Sequence, residues 1–229
     1  TNTPLHPNDH INRSQSSNDS IPTAMHIATV LSIKKKLLPE IVFFKKSLKK
    51  KISEFKGIIK IGRTHTQDAT PIKISNEFLA FYDQISYAEN VIKKSLDKLY
   101  ELAQGGTAVG SGVNAPKNFS KIFIKYLKKE TGLPFKSASN KYESLASHDV
   151  FIEVMSGVEI LTSALFKMAN DIRVLASGPR SGISELILPA NEPGSSIMPG
   201  KINPTQCEAL SMVCAHVIGL RNSIAFACT

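Results

Sequence analysis

Three short polar stretches carry most of the side chains in this sequence that could do chemistry. The richest is residues 194–210, GSSIMPGKINPTQCEAL, which sets Ser195, Ser196, Lys201 and Asn203 before an apolar pattern that also holds Glu208. Gly194 and Gly200 allow the backbone to bend, and Pro199 and Pro204 keep it out of a helix until Pro204 itself is expected to start one. The polar groups then gather at a helix N-terminus, where free N–H groups and the helix dipole favour an anion. The second stretch, bracketed by Gly62 and Pro71, holds Arg63, Thr64, His65, Thr66 and Gln67. The third is Ser16, Ser17, Asn18 and Asp19. There Ser20 or Asp19 is expected to cap a helix with Pro22 in its first turn, and the surplus polar groups suggest a second carboxylate-binding loop.

Together these stretches supply one cation, several hydroxyls and amides, one imidazole and one acid. That set suits a small dicarboxylate and removal of a proton next to a carboxylate. The extra negative charge of the resulting aci-carboxylate would be stabilised by Lys201, Asn203 and backbone N–H groups. His65, with Glu208 to orient it, would act as acid or base near neutral pH. No metal cage, Ser-His-Asp order or nucleotide fingerprint is present. The glycine-rich run 105–116 has no GxxxxGKS/T pattern and no preceding strand, so it reads as close packing between helices. Cys207 and Cys214 would lie about 10.5 Å apart along one helix, too far for a disulfide, which points with Cys228 to reduced thiols.

The elements that must hold these stretches are long helices. Apolar residues recur at Ala24, Ile27, Leu31, Leu38, Ile41, Leu48, Ile52 and Phe55, predicting a helix over 24–55 that bends at Pro39. A short β-like run at 58–61 leads into the His65 segment. A second helix follows, with Ile74, Phe78, Phe81, Ile85, Ala88, Ile92, Leu96 and Leu99 on one stripe, and a short helix covers 119–129. Val154, Val158, Leu161, Leu165, Met168, Ile172 and Leu175 then repeat at alternating spacings of four and three, the seam of a helix bundle shared between subunits. A last helix carries Leu210, Val213, Cys214 and Val217. The expected class is all-α, a long-helix bundle, with no strand pattern sustained enough for a sheet.

The 229 residues carry a net charge of +9, much of it from lysines between Lys34 and Lys60. Arginine and aromatic residues are not interleaved with them and the segment has helical periodicity, so a solvated helix face is favoured over a polyanion-binding strip. No apolar run is expected to reach the roughly 20 residues that span a bilayer, and no signal peptide is expected. Neither nucleic acid nor membrane is expected as a partner.

The segment GSSIMPGKINPTQCEAL resembles the signature of the fumarase/aspartase superfamily. HPNDHINRSQSSND (6–19), IGRTHTQDATP (61–71), ELAQGGTAVGSG (101–112) and ANDIRVLASGPRSG (169–182) are similar to class II fumarase in the same order. The resemblance runs over nearly the whole chain. It implies hydration of fumarate to L-malate, with Ser195 as the base for the C3 proton and His65, paired with Glu208, activating or holding the water. Ser16, Ser17, Asn18, Thr64, Lys201 and Asn203 would bind the two carboxylates, and His6, Pro7, Asn8 and Asp9 resemble the family's second dicarboxylate site. No metal or organic cofactor is implied. The resemblance also implies a homotetramer in which each active site draws its loops from three subunits, in the bacterial cytoplasm or the mitochondrial matrix. The chain is expected to be a central fragment. Residues 1–15 would end the N-terminal domain, and 16–229 would form the helical-bundle domain, truncated before its last helix. Aspartate ammonia-lyase is the alternative within the superfamily. It typically has glutamine at the position of His65 and lacks the TQCE that supplies Glu208. A truncated, non-catalytic chain that only assembles is the alternative from another class.

Overall fold

The stripe from Ile74 to Leu99 folds as one helix, α3 (Ile74–Leu99), and all eight of its residues are buried. The structure is a computed structural model that describes residues 4–192, 194 and 196–228. Its class is all-α, as expected. The helices preceding α3 are α1 (Ser17–Ser32) and α2 (Leu38–Glu54); those following it are α4 (Phe119–Thr131), α5 (Lys141–Ala146), α6 (Asp149–Leu175) and α7 (Thr205–Ala227).

The helix predicted over 24–55 starts earlier and is interrupted. Ser16, not Ser20 or Asp19, is its N-cap, and Pro22 lies inside α1 rather than in its first turn. Between α1 and α2, residues Ile33–Leu37 form a π-helical turn in which the Leu38 N–H bonds to the Ile33 carbonyl. The wider turn accommodates Pro39, which has no N–H and would otherwise press on the carbonyl four residues back. It also shifts the buried face. Leu38, Ile41 and Leu48 are buried as the periodicity predicts, but in α1 the buried positions are Asp19, Pro22, Thr23, His26 and Val30, followed by Ile33. The step from Ile33 to Leu38 is five residues, so the predicted stripe of Ala24, Ile27 and Leu31 is one residue out of phase, and Ala24 is exposed.

The chain divides into two compact units. The first takes in the chain up to Pro39, Val91–Met155 and the chain from Ile224 onward. Its core includes Val30, Leu99, Leu102, Ile124, Phe135 and Val150. His26 packs edge-on against Phe151 with centroids 5.3 Å apart, and a ring nitrogen lies 3.1 Å from the Leu99 carbonyl. Two residues of β3 (Glu101–Leu102) pair in parallel with β4 (Lys136–Ser137). The glycine-rich run belongs to this unit and is closely packed, as expected. A Cβ on Gly105 would sit 2.8 Å from that of Ser120, and one on Gly110 would sit 2.7 Å from the Tyr142 nitrogen.

The second unit takes in Glu40–Asn90 and Ser156–Ser223. The β-like run at 58–61 is the start of a hairpin, β1 (Ile59–Thr64) paired antiparallel with β2 (Gln67–Lys73), so the expectation of no sheet fails locally. Along α6 the seam alternates: Val154, Leu161, Met168 and Leu175 are buried, whereas Val158, Leu165 and Ile172 stay partly exposed. Alongside α6 within this unit, α7 runs antiparallel, pinned by Arg221–Glu159 at 3.0 Å and Arg173–Glu208 at 3.6 Å. Among the described residues of α7 only Cys214 is buried. By length and composition α7 is apolar enough to cross a membrane, which corrects the expectation that no segment is. A helix buried in an assembled soluble bundle has the same composition.

Candidate active site

In the first unit, α1 begins at the Ser16, Ser17, Asn18 cluster. The Ser16 hydroxyl accepts the Asn18 N–H at 3.2 Å, and the Asp19 carboxylate reciprocates by accepting the Ser16 N–H at 3.0 Å. This capping box uses the Ser16 oxygen as an acceptor and leaves Ser17 and Asn18 exposed at the helix end. A cavity of about 380 Å³ opens there, lined by Ser17, Asn18, Pro22, Ala108, Tyr142 and His148. Because Pro22 has no N–H, the Asn18 carbonyl lacks its usual helical donor and is a further acceptor at this end of α1. The Asn18 amide donates to the Ala108 carbonyl at 2.8 Å.

His6, Pro7, Asn8 and Asp9 form a cap and the start of a π-helical turn, Pro7–Ile11. The His6 Nδ1 accepts N–H groups from Asn8 and Asp9 at 3.2 and 3.1 Å. The Asp9 carboxylate approaches the same atom to 3.2 Å. Pro7, Asn8 and Asp9 are exposed.

In the second unit, Thr64 and His65 occupy the tip of the β1–β2 hairpin. The two residues between the paired Thr64 and Gln67 are His65 and Thr66, at φ 53° and 62°. Left-handed conformations at both positions are what a type I′ turn demands, but for non-glycine residues each costs about 1–2 kcal/mol. Strain of this kind concentrates at functional sites. The His65 side chain is exposed and makes no hydrogen bond to any described residue. The base of the hairpin is braced: Arg63 donates to Glu185 at 2.7 Å, and Lys60 pairs with Glu77 at 2.9 Å and Glu185 at 3.1 Å. The hydrogen bond from Arg63, then Lys60, outweighs burial and holds the Glu185 carboxyl below its ordinary range. Lys60 and Arg63 reach the same partner because the register shifts between Ile61 and Arg63, a bulge at Gly62.

Also in the second unit, the 194–204 loop places Lys201 and Asn203 in solvent just before α7. Gly194 approaches Lys201 so closely that a Cβ would lie 2.9 Å from the Lys201 carbonyl, so the loop doubles back on itself. Pro204 does not start the helix. It immediately precedes Thr205, and its carbonyl accepts the Glu208 N–H at 3.1 Å. Ser195 lies outside the described residues. Glu208 lies beside Arg173, and among the described residues it makes no hydrogen bond with His65.

Local pattern singled out neither Lys60 and Glu185 nor the bracing role of Arg63. A glycine inside a β-like run, Gly62, was the available signal for a bulge that redirects side chains. Local pattern also missed Tyr142 and His148, which come to the α1 cavity from far along the chain and have no local signature. Among the described residues no group of three His, Cys, Asp or Glu side chains is placed to hold a metal ion.

Residues 1–219 match the family model described as Lyase. The chain is 55% identical to a mitochondrial fumarate hydratase from Dictyostelium discoideum, covering 97% of this chain and 46% of that protein. It is 54% identical to fumarate hydratase class II 2 from Bradyrhizobium diazoefficiens, covering 98% and 47% respectively. The crystal structure of recombinant class II fumarase from Schistosoma mansoni matches with a TM-score of 0.96 at 42% identity, covering 98% of this chain and 50% of that one. The chain spans about half the length of the curated relatives it matches.

Proposed function

This chain belongs to the lyase family, and from that premise we propose that it is the central part of a fumarate hydratase, interconverting fumarate and L-malate. The observation that carries the proposal is the pairing of 55% identity to a fumarate hydratase with an exposed, strained hairpin tip that presents an unengaged His65. In this reading Ser195 removes the C3 proton of malate, and Lys201 and Asn203 stabilise the charge that accumulates on the adjacent carboxylate. His65, oriented by Glu208, handles the departing or attacking water, while Ser16, Ser17, Asn18 and Thr64 hold the two carboxylates. His6, Pro7, Asn8 and Asp9 form a second dicarboxylate site. The surrounding protein supplies an N-terminal domain that ends near residue 15.

The working enzyme in this proposal is a homotetramer, each active site taking segments from three copies. Two features support it. The partly exposed half of the α6 seam and the largely uncovered α7 leave apolar surface that a shared bundle would bury. Within one chain Glu208 engages Arg173 rather than His65, so a His65–Glu208 pair forms between copies. A location in the mitochondrial matrix or the bacterial cytoplasm is in keeping with a mitochondrial and a bacterial relative.

The test is malate dehydration by the full-length protein, followed as new ultraviolet absorbance from the conjugated double bond. Ser195→Ala and His65→Asn should each abolish most turnover, and mixing the two unfolded and reassembled variants should restore a fraction of it. Ammonia release from aspartate without malate turnover would instead identify an aspartate ammonia-lyase. Mixing that restores nothing, with both variants assembled, would overturn the shared site.

A further inference from the structure

We propose that Asp19 is a positioning residue for the carboxylate-binding end of α1, and that it acts by clamping the glycine-rich loop to that end. The inference rests on the proposed function for the identity of the ligand, and on geometry for the rest.

Asp19 is fully buried, and among the described residues no cation pairs with it. A carboxylate in that position persists only if hydrogen bonds replace its lost hydration. Its donors come from two places. On one oxygen it accepts the Ser16 N–H at 3.0 Å and the Ser20 hydroxyl at 3.3 Å, both from the start of its own helix. On the other it accepts the N–H groups of Gly105 and Thr107, each at 2.9 Å, from a loop 86 and 88 residues away. Capping explains only the first oxygen. The second makes Asp19 the anchor around which the loop is folded.

The loop is shaped to make those bonds. Gly105 and Thr107 both adopt left-handed backbone angles, φ 91° and 58°, which turn their N–H groups toward a single oxygen. One residue beyond Thr107, the Ala108 carbonyl accepts the Asn18 side-chain amide at 2.8 Å. The path is therefore closed: Asp19 fixes the loop, the loop fixes the Asn18 amide, and Asn18 lines the cavity beside Ser17 and Ala108. Ser20 adds a second strand to the clamp, since its hydroxyl lies 3.3 Å from the Gln104 amide, which donates to it. A residue that merely capped α1 would not need the loop. A loop that merely packed would not need to present two N–H groups to a carboxylate.

The experiment is steady-state kinetics of full-length Asp19→Asn. The amide keeps the shape but sets an N–H group against one of the donor pairs. We expect KM for malate to rise at least tenfold while kcat changes less than threefold, with helical content and assembly unchanged. In an Asn18→Ala background the same substitution should raise KM less than twofold further, because both act through one path. A Tm lowered with KM unchanged, or fully multiplicative KM effects in the double variant, would overturn the proposal. If Asp19→Asn does not assemble, Gly105→Ala displaces the same N–H donor from the loop side, and an unchanged KM there also overturns it. Absence of malate turnover in the wild-type protein defeats the functional reading instead. The clamp is then read without substrate, as faster amide exchange at Gly105 and Thr107 in Asp19→Asn, and unchanged exchange there refutes it.

Discussion

Gly62 offers a severe test of the hairpin's role. A Cβ added there would lie 2.6 Å from the Thr70 carbonyl oxygen and 3.2 Å from the Ile72 side chain. Ordinary contact begins near 3.4 Å, so the two strands must part by roughly 0.8 Å, and the obstructing atom is backbone that cannot rotate away. Overpacking of this kind costs roughly 1–3 kcal/mol, which a braced hairpin can absorb without unfolding. The displacement nevertheless passes to the tip, because Thr64 and His65 follow Gly62 by two and three residues. A misplacement of about 1 Å at a reacting group lowers rate on the order of 100-fold. Full-length Gly62→Ala should therefore lose about 30- to 100-fold in malate dehydration while its far-ultraviolet circular dichroism stays that of the wild type. Gly57→Ala, with no atom within 4 Å of the new methyl, serves as the control and should keep its activity. A folded Gly62→Ala enzyme within twofold of wild-type kcat would refute the claim that the hairpin positions His65.

Two further outcomes follow from the first unit's core. Ile92 is fully buried on α3, so Ile92→Ala should lower unfolding free energy by about 2–5 kcal/mol in urea titrations, and a loss below about 1 kcal/mol would contradict its packing. Burial, opposed by hydrogen bonds to backbone carbonyls, holds His26 below its ordinary value of 6.5, so the unfolded chain takes up a proton there before the folded one does. The His26 contribution is therefore complete above about pH 6.5 and is lost as the pH falls through the folded value. His26→Gln should flatten the thermal midpoint between pH 7.5 and 5 relative to wild type, and parallel profiles would count against it.

The long helices were legible because their stripes are long. In α3 eight apolar positions recur without interruption, and one period fits them all. The α6 seam was equally plain, although which half is buried within a single chain depends on neighbours that periodicity does not name. The hairpin was harder to see. Its turn is His65-Thr66 rather than a glycine-containing pair, and β2 carries Pro71, a residue that argues against a strand. The candidate site was legible as residue types at the ends of elements, since Ser17, Asn18, Thr64, His65, Lys201 and Asn203 are all exposed. What local pattern could not supply was the support beneath them. Glu185 reaches Arg63 across 122 positions and Gly105 reaches Asp19 across 86, and no window of sequence contains both partners.

The π-helical turn at Ile33–Leu37 decides which side of α1 faces inward. Lys34, Lys35 and Lys36 are exposed, and by their contacts any of them could be exchanged for another polar residue. Closing the turn to ordinary α-helical geometry with its length kept would rotate α1 by about 100° about its axis relative to Leu38. Its inward side would become Ala24, Ile27 and Leu31, the more apolar choice, and Asp19 and His26 would swing away from the loop and the ring they now engage. Removing one lysine is a different operation. A four-residue step would then replace the five-residue step from Ile33 to Leu38, and an unbroken α-helix would carry Ile33, Val30, His26, Thr23 and Asp19 on the side of Leu38. The wide turn thus absorbs one extra residue and holds α1 in the less greasy of two available orientations, the one that keeps a carboxylate facing inward. Homologous sequences should accordingly vary freely in side chain across these three positions, and one lacking a residue there should bury the same face of α1.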